Sequence, residues 1–292
     1  MMSYATQSRF TDPRDMAWWL GDVSAEIADI HAAAAGLVFH YRANGNLARH
    51  GFGAERVHEI DLRYADSLLT RLRELNPAPP GQARARTDRV VGCCRDFTVL
   101  FIAMARQRGI PVRARVGFAT YLLPGWALDH EVAEVWDDGE SRWRLVDPQL
   151  VEHDEFDVLD VPRDAFLTGP RAWLECRSEA RDAGRFVVSP DDPLPMLRSW
   201  PQLRHNLVQD LAALNKYEMI LWDVWGLLEE TPIISDEQAA KLDALAELLG
   251  SVDIATDRIE NAFTDAALNV PEVVTTFSPA EPVPTRIRLR PV

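Results

Sequence analysis

Three blocks decide how this sequence folds: GCCRDFTVLFIAMARQRGIPVRARVGF at 92–118, DHEVAEVW at 129–136 and WRLVDP at 143–148. Residues 94–108 have the apolar spacing of a helix. Gly109 closes it, and Pro111 just beyond forbids its continuation. Residues 113–120 read as a strand and 121–129 as a loop through Pro124-Gly125. A second strand follows at 131–136, then the Asp137-Asp138-Gly139-Glu140 turn and a third strand at 142–147. One helix followed by a short antiparallel meander predicts an α+β fold rather than a doubly wound parallel sheet.

Three polar residues recur at the ends of these elements: Cys94 entering the helix, His130 beginning the second strand, and Asp147 ending the third before Pro148. Their order suits covalent catalysis. At a helix N-terminus the unpaired N–H groups and the macrodipole favour a thiolate. A neighbouring imidazole forms an ion pair with it and later protonates the leaving group. A carboxylate on the far ring nitrogen holds the useful tautomer. Taken singly, each residue has an ordinary structural explanation: a core cysteine, a strand-start histidine and an Asp-Pro turn. The expectation is geometric: Cys94 sulfur within about 4 Å of one His130 nitrogen, and Asp147 on the other.

The same blocks resemble the core of the transglutaminase-like superfamily, with its papain-like arrangement. The shared features are Gly92, the cysteine followed by Arg95-Asp96, the Gly109-Ile110-Pro111-Val112-Arg113 turn, the His130-led strand and the Trp143…Asp147-Pro148 ending. The resemblance implies Cys94 as nucleophile, His130 as base and Asp147 as the orienting acid. It prefers Cys94 over Cys93 because Cys94 directly precedes Arg95-Asp96-Phe97. Glu131 stands where the family often has alanine; strand alternation turns it to the face opposite His130.

Outward from this core, residues 12–76 read as helical, with Asp12-Pro13 opening the first helix, a segment at 24–42, the Asn44-Gly45-Asn46 turn and a helix at 61–75. Residues 160–192 read as irregular and 203–229 as one long helix. Ser235 and Gln238 form a capping box before a helix that Gly250 closes. The Pro- and Thr-rich end reads as a strand or a docked tail. The expected organisation is a helical part at 1–80, a catalytic core at 81–165 and a mainly helical extension at 166–292, packed as one compact unit. Cys93, Trp126, Lys216 and Trp222 are candidates for a substrate pocket. The polar tract around Lys216 and Trp222 reads equally as an internal hydrogen-bond network. Arg95 and Asp96 suggest an ion pair or cap in the first helical turn, and Cys176 inert packing.

The chain has 292 residues, 31 basic and 45 acidic, for a net charge of −14. That balance argues against a nucleic-acid or anionic-membrane partner. Three cysteines, two adjacent, build neither a disulfide framework nor the spaced chelating pairs of a zinc site. No metal or other cofactor is expected. The first residues lack an apolar signal-peptide core, and the cytosol is the expected compartment. The expectation is therefore a cysteine enzyme that makes a thioester with a small-molecule, peptide or carrier-bound acyl substrate and passes the acyl group to water or an amine. A cyclase acting on a carrier-bound chain, and a binding module that kept the fold without chemistry, are the alternatives.

Overall fold

The computed structural model describes residues 3–229, 232–251 and 255–291. Helix α1 (Ile27–Leu37) runs into strand β1 (Val38–His40), and α2 (Ala65–Leu75) follows a 3₁₀ turn at Ala54–Asp61. Strand β2 (Val90–Gly92) leads directly into α3 (Cys94–Gln107). Then come β3 (Val112–Ala119), β4 (Ala127–Asp137), β5 (Arg142–Val146) and β6 (Phe166–Thr168). Helix α4 (Gly169–Arg177), strand β7 (Phe186–Val187) and helix α5 (Ser199–Leu214) come next. Strand β8 (Asp223–Val224), α6 (Asp236–Leu249), α7 (Thr256–Ala262), β9 (Val273–Thr276) and β10 (Thr285–Arg288) complete the chain.

The main sheet has the order β5-β4-β3-β6, all antiparallel, with β7 parallel to the start of β4. The helix-plus-meander expectation therefore holds, and the fold is α+β. Alternation divides β3 and β4 into two faces. Ala114, Val116, Ala133 and Val135 pack on α3, together with residues of α1 and α2. On the other face, Arg113 and Arg115 meet Glu134, whose other oxygen takes Arg163. Arg115 also makes a two-pronged pair with Asp210 of α5, at 3.0 and 2.8 Å. Asp210 further accepts the Val116 N–H at 2.8 Å. The sheet is thus a middle layer, apolar toward α3 and ionic toward α5. Trp173, Leu203, Leu207, Leu211, Trp225 and Leu245 build a second core beyond it.

Three sequence expectations change. The segment at 24–42 ends its helix at Leu37, because Val38–His40 pairs in parallel with β2. The long helix at 203–229 starts earlier, at Ser199, and stops at Leu214. Lys216 adopts a left-handed φ of 63° there, which no helix continues through. The later Leu and Trp positions keep helical spacing but serve other partners: β8 pairs with β9, and Trp225 Nε1 donates to the Leu268 carbonyl. Residues 160–192 are not irregular throughout. Gly169-Pro170 starts α4 instead of breaking the chain, since proline fits a first helical turn.

The pairs between sheet and α5 are fully desolvated, so removing one partner strands a buried charge. Asp210→Ala is expected to lower unfolding free energy by about 3 kcal/mol, read by urea denaturation. A loss under about 1 kcal/mol would show that apolar packing alone joins the layers. Burial alone would raise the Glu134 carboxyl, but Arg113, Arg115 and Arg163 hold it down to about 2. Its contribution is present above the ordinary glutamate value near 4.3 and is lost as pH falls toward 2. Acid unfolding should accordingly shift to higher pH in Arg113→Gln.

Candidate active site

The site begins where two three-residue strands cross. β1 and β2 pair in parallel with His40 opposite Gly92, and the Gly92 carbonyl accepts the Tyr41 N–H. A Cβ at Gly92 would lie 2.5 Å from Asp96 Oδ2, so only glycine lets the chain turn into α3 here. Asp96 then accepts the Cys93 N–H at 2.8 Å and pairs with Arg95 at 3.1 Å, which is the expected first-turn cap and ion pair in one. The result is a helix whose first residue is Cys94, buried, with its first-turn N–H groups directed at the sulfur's surroundings.

His130 of β4 stands close enough to Cys94 for the sulfur to act on its charge, and its Nε2 lies 2.9 Å from Asp147 Oδ2. With Nε2 on the carboxylate, Nδ1 is the ring nitrogen that Asp147 does not engage. Asp147, just past β5, is fully buried and fully engaged. The Tyr121 hydroxyl donates to the same Oδ2 at 2.7 Å, the Gln149 N–H donates to Oδ1 at 2.9 Å, and His31 Nε2 donates to its backbone carbonyl at 2.9 Å. Tyr121 and Phe166 stand edge-on to the His130 ring, with centroids 6.2 and 6.3 Å away. These contacts leave the ring one orientation.

Electrostatics separate the two adjacent sulfurs. The Cys94 thiol is held well below the ordinary thiol range, first by the hydrogen bond from Cys93, then by those from His130 and His40, against the opposing effect of burial. Cys93 moves the other way: its bond to Cys94 and its burial both favour the neutral thiol. Cys94 is thus the thiolate and Cys93 its donor. Burial opposes a charge on His130, but the Asp147 carboxylate and then the Cys94 sulfur outweigh it and raise its pKa well above the ordinary value. Asp147 stays ionised, because His130, Tyr121 and the Gln149 N–H overcome its burial. Glu131, on the sheet face toward α3, is pushed far up by burial despite Arg95 nearby, and is a neutral carboxyl.

Sequence reading missed His40, Tyr121 and His31. Nothing near His40 in the chain announces it, because its place depends on pairing with a strand some 50 residues later. His40 Nδ1 accepts backbone N–H groups from Arg42 and Ala43, each at 3.1 Å, so its proton sits on Nε2. That N–H is the one available to the Cys94 thiolate. Cys94, His130 and His40 open onto a cavity of about 860 Å³. Of the pocket candidates, Cys93 and Trp222 are in its wall, and Trp222 Nε1 donates to Asp61 Oδ1. Trp126 stands elsewhere, under the Arg185 guanidinium, and Lys216 ties down Ser3, Thr6 and Gln7. Neither is in the wall of this cavity. Cys176 is packed in α4, and burial pushes its thiol up to about 12. No cluster of three or more metal-ligating side chains occurs among the described residues. No helix among them is long and apolar enough to cross a membrane.

A depressed thiol is charged above its own pKa and loses that charge only as pH falls through it. Alkylation of Cys94 by iodoacetamide should therefore stay near its plateau down to about pH 6, where an ordinary cysteine of pKa about 8.5 is almost unreactive. Mass mapping should place the adduct on Cys94 in wild type and in Cys93→Ser. An adduct on Cys93, or a rate that rises tenfold per pH unit between 6 and 8, would contradict this assignment.

Residues 53–148 match the family model of the transglutaminase-like superfamily core. The match starts well before Gly92 and ends one residue after Asp147, so it includes both chain positions of the thiol and its carboxylate-bound histidine. No curated protein matches the chain. Among solved structures, the crystal structure of "a Putative Cysteine Protease from Cytophaga hutchinsonii" is similar at 18% identity and a TM-score of 0.36, over 56% of this chain and 44% of that one. The chain thus spans less than half the length of that protein. Over about a third of its length, at residues 53–148, this chain is similar to the transglutaminase-like superfamily core.

Proposed function

We propose that the protein is a cysteine-dependent acyl-transfer enzyme that forms a thioester at Cys94 and passes the acyl group to water or an amine. What supports this reading is the buried Cys94 at the start of α3 together with the 2.9 Å contact between His130 and Asp147, in surroundings that favour the Cys94 thiolate.

The steps follow from the groups present. The Cys94 thiolate attacks the carbonyl carbon of the substrate, and the electron pair moves to the carbonyl oxygen. The backbone N–H of Cys94 and Nε2–H of His40 are the donors that stabilise this oxyanion. When the tetrahedral species collapses, the bond to the leaving group breaks and the His130 imidazolium supplies its proton. The now neutral His130 takes a proton from the incoming water or amine, which attacks the thioester carbonyl. Cys94 leaves as thiolate beside a re-formed imidazolium. Asp147 remains an anion throughout and holds the ring in place. The cavity is walled largely by residues beyond 180, which favours a bounded substrate over an exposed protein loop.

Acylation by an activated ester, followed by intact mass, tests the scheme. Cys94→Ser should lose the adduct, with a rate decrease of about a thousandfold or more. Asp147→Asn offers the imidazole the wrong partner and should cost about a hundredfold or more in rate. His40→Ala should slow acylation by roughly tenfold to a hundredfold, and His40→Gln, which keeps a donor, should recover part of that. Alkylation by iodoacetamide passes through no oxyanion, so it should suffer much less in His40→Ala. No acyl adduct with any ester, in a protein whose Cys94 still alkylates at low pH, would leave a binding module as the better description.

A further inference from the structure

The cavity in front of Cys94 is unlike a site built for a polar side chain. Its far walls are apolar: Leu197 and Pro201 on one side, and Leu221, Val224 and Leu228 on the other. Leu122 and Leu128 from the loop before β4 and from β4 continue this surface toward His130. Leu194 and Phe277 also line it, yet are 57% and 54% exposed. Large apolar side chains left in water at the mouth of an apolar cavity form a rim that an apolar ligand would cover.

Among the polar groups in the wall, Gln149 Oε1 is buried without a hydrogen-bond partner, whereas the following groups are engaged by the protein. Gln202 donates to Asn206 Oδ1 at 2.8 Å, and His205 Nε2 donates to the Leu221 carbonyl at 2.8 Å. Burial lowers the His205 pKa to about 4, so it is a neutral ring. Arg204 is buried and has its own interaction within the fold. Arg42, at the side of the cavity, is paired with Asp192 at 3.7 Å. Burial, followed by the Cys94 charge, raises the Asp129 carboxyl to about 7, and Asn206 Nδ2 donates to it at 2.8 Å.

We propose that this cavity is the acyl subsite, and that the substrate donates a bulky aliphatic acyl group, larger than a peptide side chain, to Cys94. The inference rests on the acyl-transfer reading and adds the substrate class to it. The reacting carbonyl sits at the Cys94 end, beside His130. The hydrocarbon extends between α5 and the Leu221–Leu228 segment toward the Leu194–Phe277 rim. The volume, about 860 Å³, lies within the range that encloses most of a drug-sized ligand. The walls that define it come mainly from outside the transglutaminase-like core, so the core supplies the chemistry and the extension selects the acyl group.

The test uses the full chain and p-nitrophenyl esters from acetyl to decanoyl, with the acylation rate constant kcat/KM read for each. Burying a methylene contributes about 0.8 kcal/mol, which corresponds to about fourfold in rate. A rise of two- to fourfold per added methylene is expected over most of the series. Phe277→Asp, at an exposed position that should not disturb folding, is expected to lower the decanoyl-to-acetyl ratio at least tenfold. Leu194→Asp gives an independent reading of the same ratio. A flat or falling series, with acetyl ester still acylating Cys94, would overturn the substrate class and leave acyl transfer standing. Absence of acylation at every length would overturn acyl transfer itself, and the substrate class with it.

Discussion

The structure depends on a single buried cation. Arg95, the second residue of α3, is wholly out of water. A guanidinium in that position must have every donor met by protein, or the fold pays its full desolvation. Its partners come from three directions. Asp96 lies next to it, the Leu62 and Arg63 carbonyls come from the segment before α2, and the Glu218 carbonyl comes from the loop after α5. One side chain therefore fixes the start of α3 against both flanking regions. Arg106, near the other end of the helix, reaches the Glu218 carboxylate, which Ser8 also binds. The helix that begins with Cys94 cannot shift along its axis without breaking these contacts.

That rigidity matters because a thiolate is costly to bury. Here the charge is met by the helix start, by the Cys93 thiol and by two imidazoles with different roles. His130 is held by Asp147 and is able to carry a proton. His40 is held by two backbone N–H groups on Nδ1, which leaves Nε2 as its donor. The same carboxylate that orients His130 is itself positioned by Tyr121, Gln149 and a carbonyl bond to His31. The sulfur and the two imidazoles are therefore supported by elements from four separate parts of the chain.

The division of labour within the fold follows from the two faces of the sheet. Its apolar face takes α3 and the N-terminal helices, as in any close-packed core. Its charged face takes α5 through Arg115 and Asp210. An ionic junction of this kind adds less stability than hydrophobic packing, but it sets one register, because a slip would strand buried charges. With α5 so placed, Pro201, Arg204 and His205 come to line the cavity, together with Val224 of β8 and Phe277 just past β9.

What the sequence by itself determined is local. Gly109 and Pro111 end α3, and the alternation in 112–119 and 129–136 makes strands with one apolar face. Ser235 and Gln238 cap α6, Cys94 opens α3 and Asp147 follows β5, whereas His130, read as the start of its strand, falls inside β4, which begins at Ala127. Those signals act over a few residues, so they can be read without the fold. Tertiary structure decided the rest. Leucine spacing suggested a helix through 203–229, but Asn215-Lys216 turns the chain away so that Glu218 can meet Arg95 and Arg106. His40 comes to the site only because β1 pairs with β2, Trp126 and Lys216 are not in the wall of the cavity, and much of that wall comes from segments more than 80 residues from the sulfur. Pairing between distant strands and the satisfaction of buried charges are properties of the packed whole, and no window of sequence contains them.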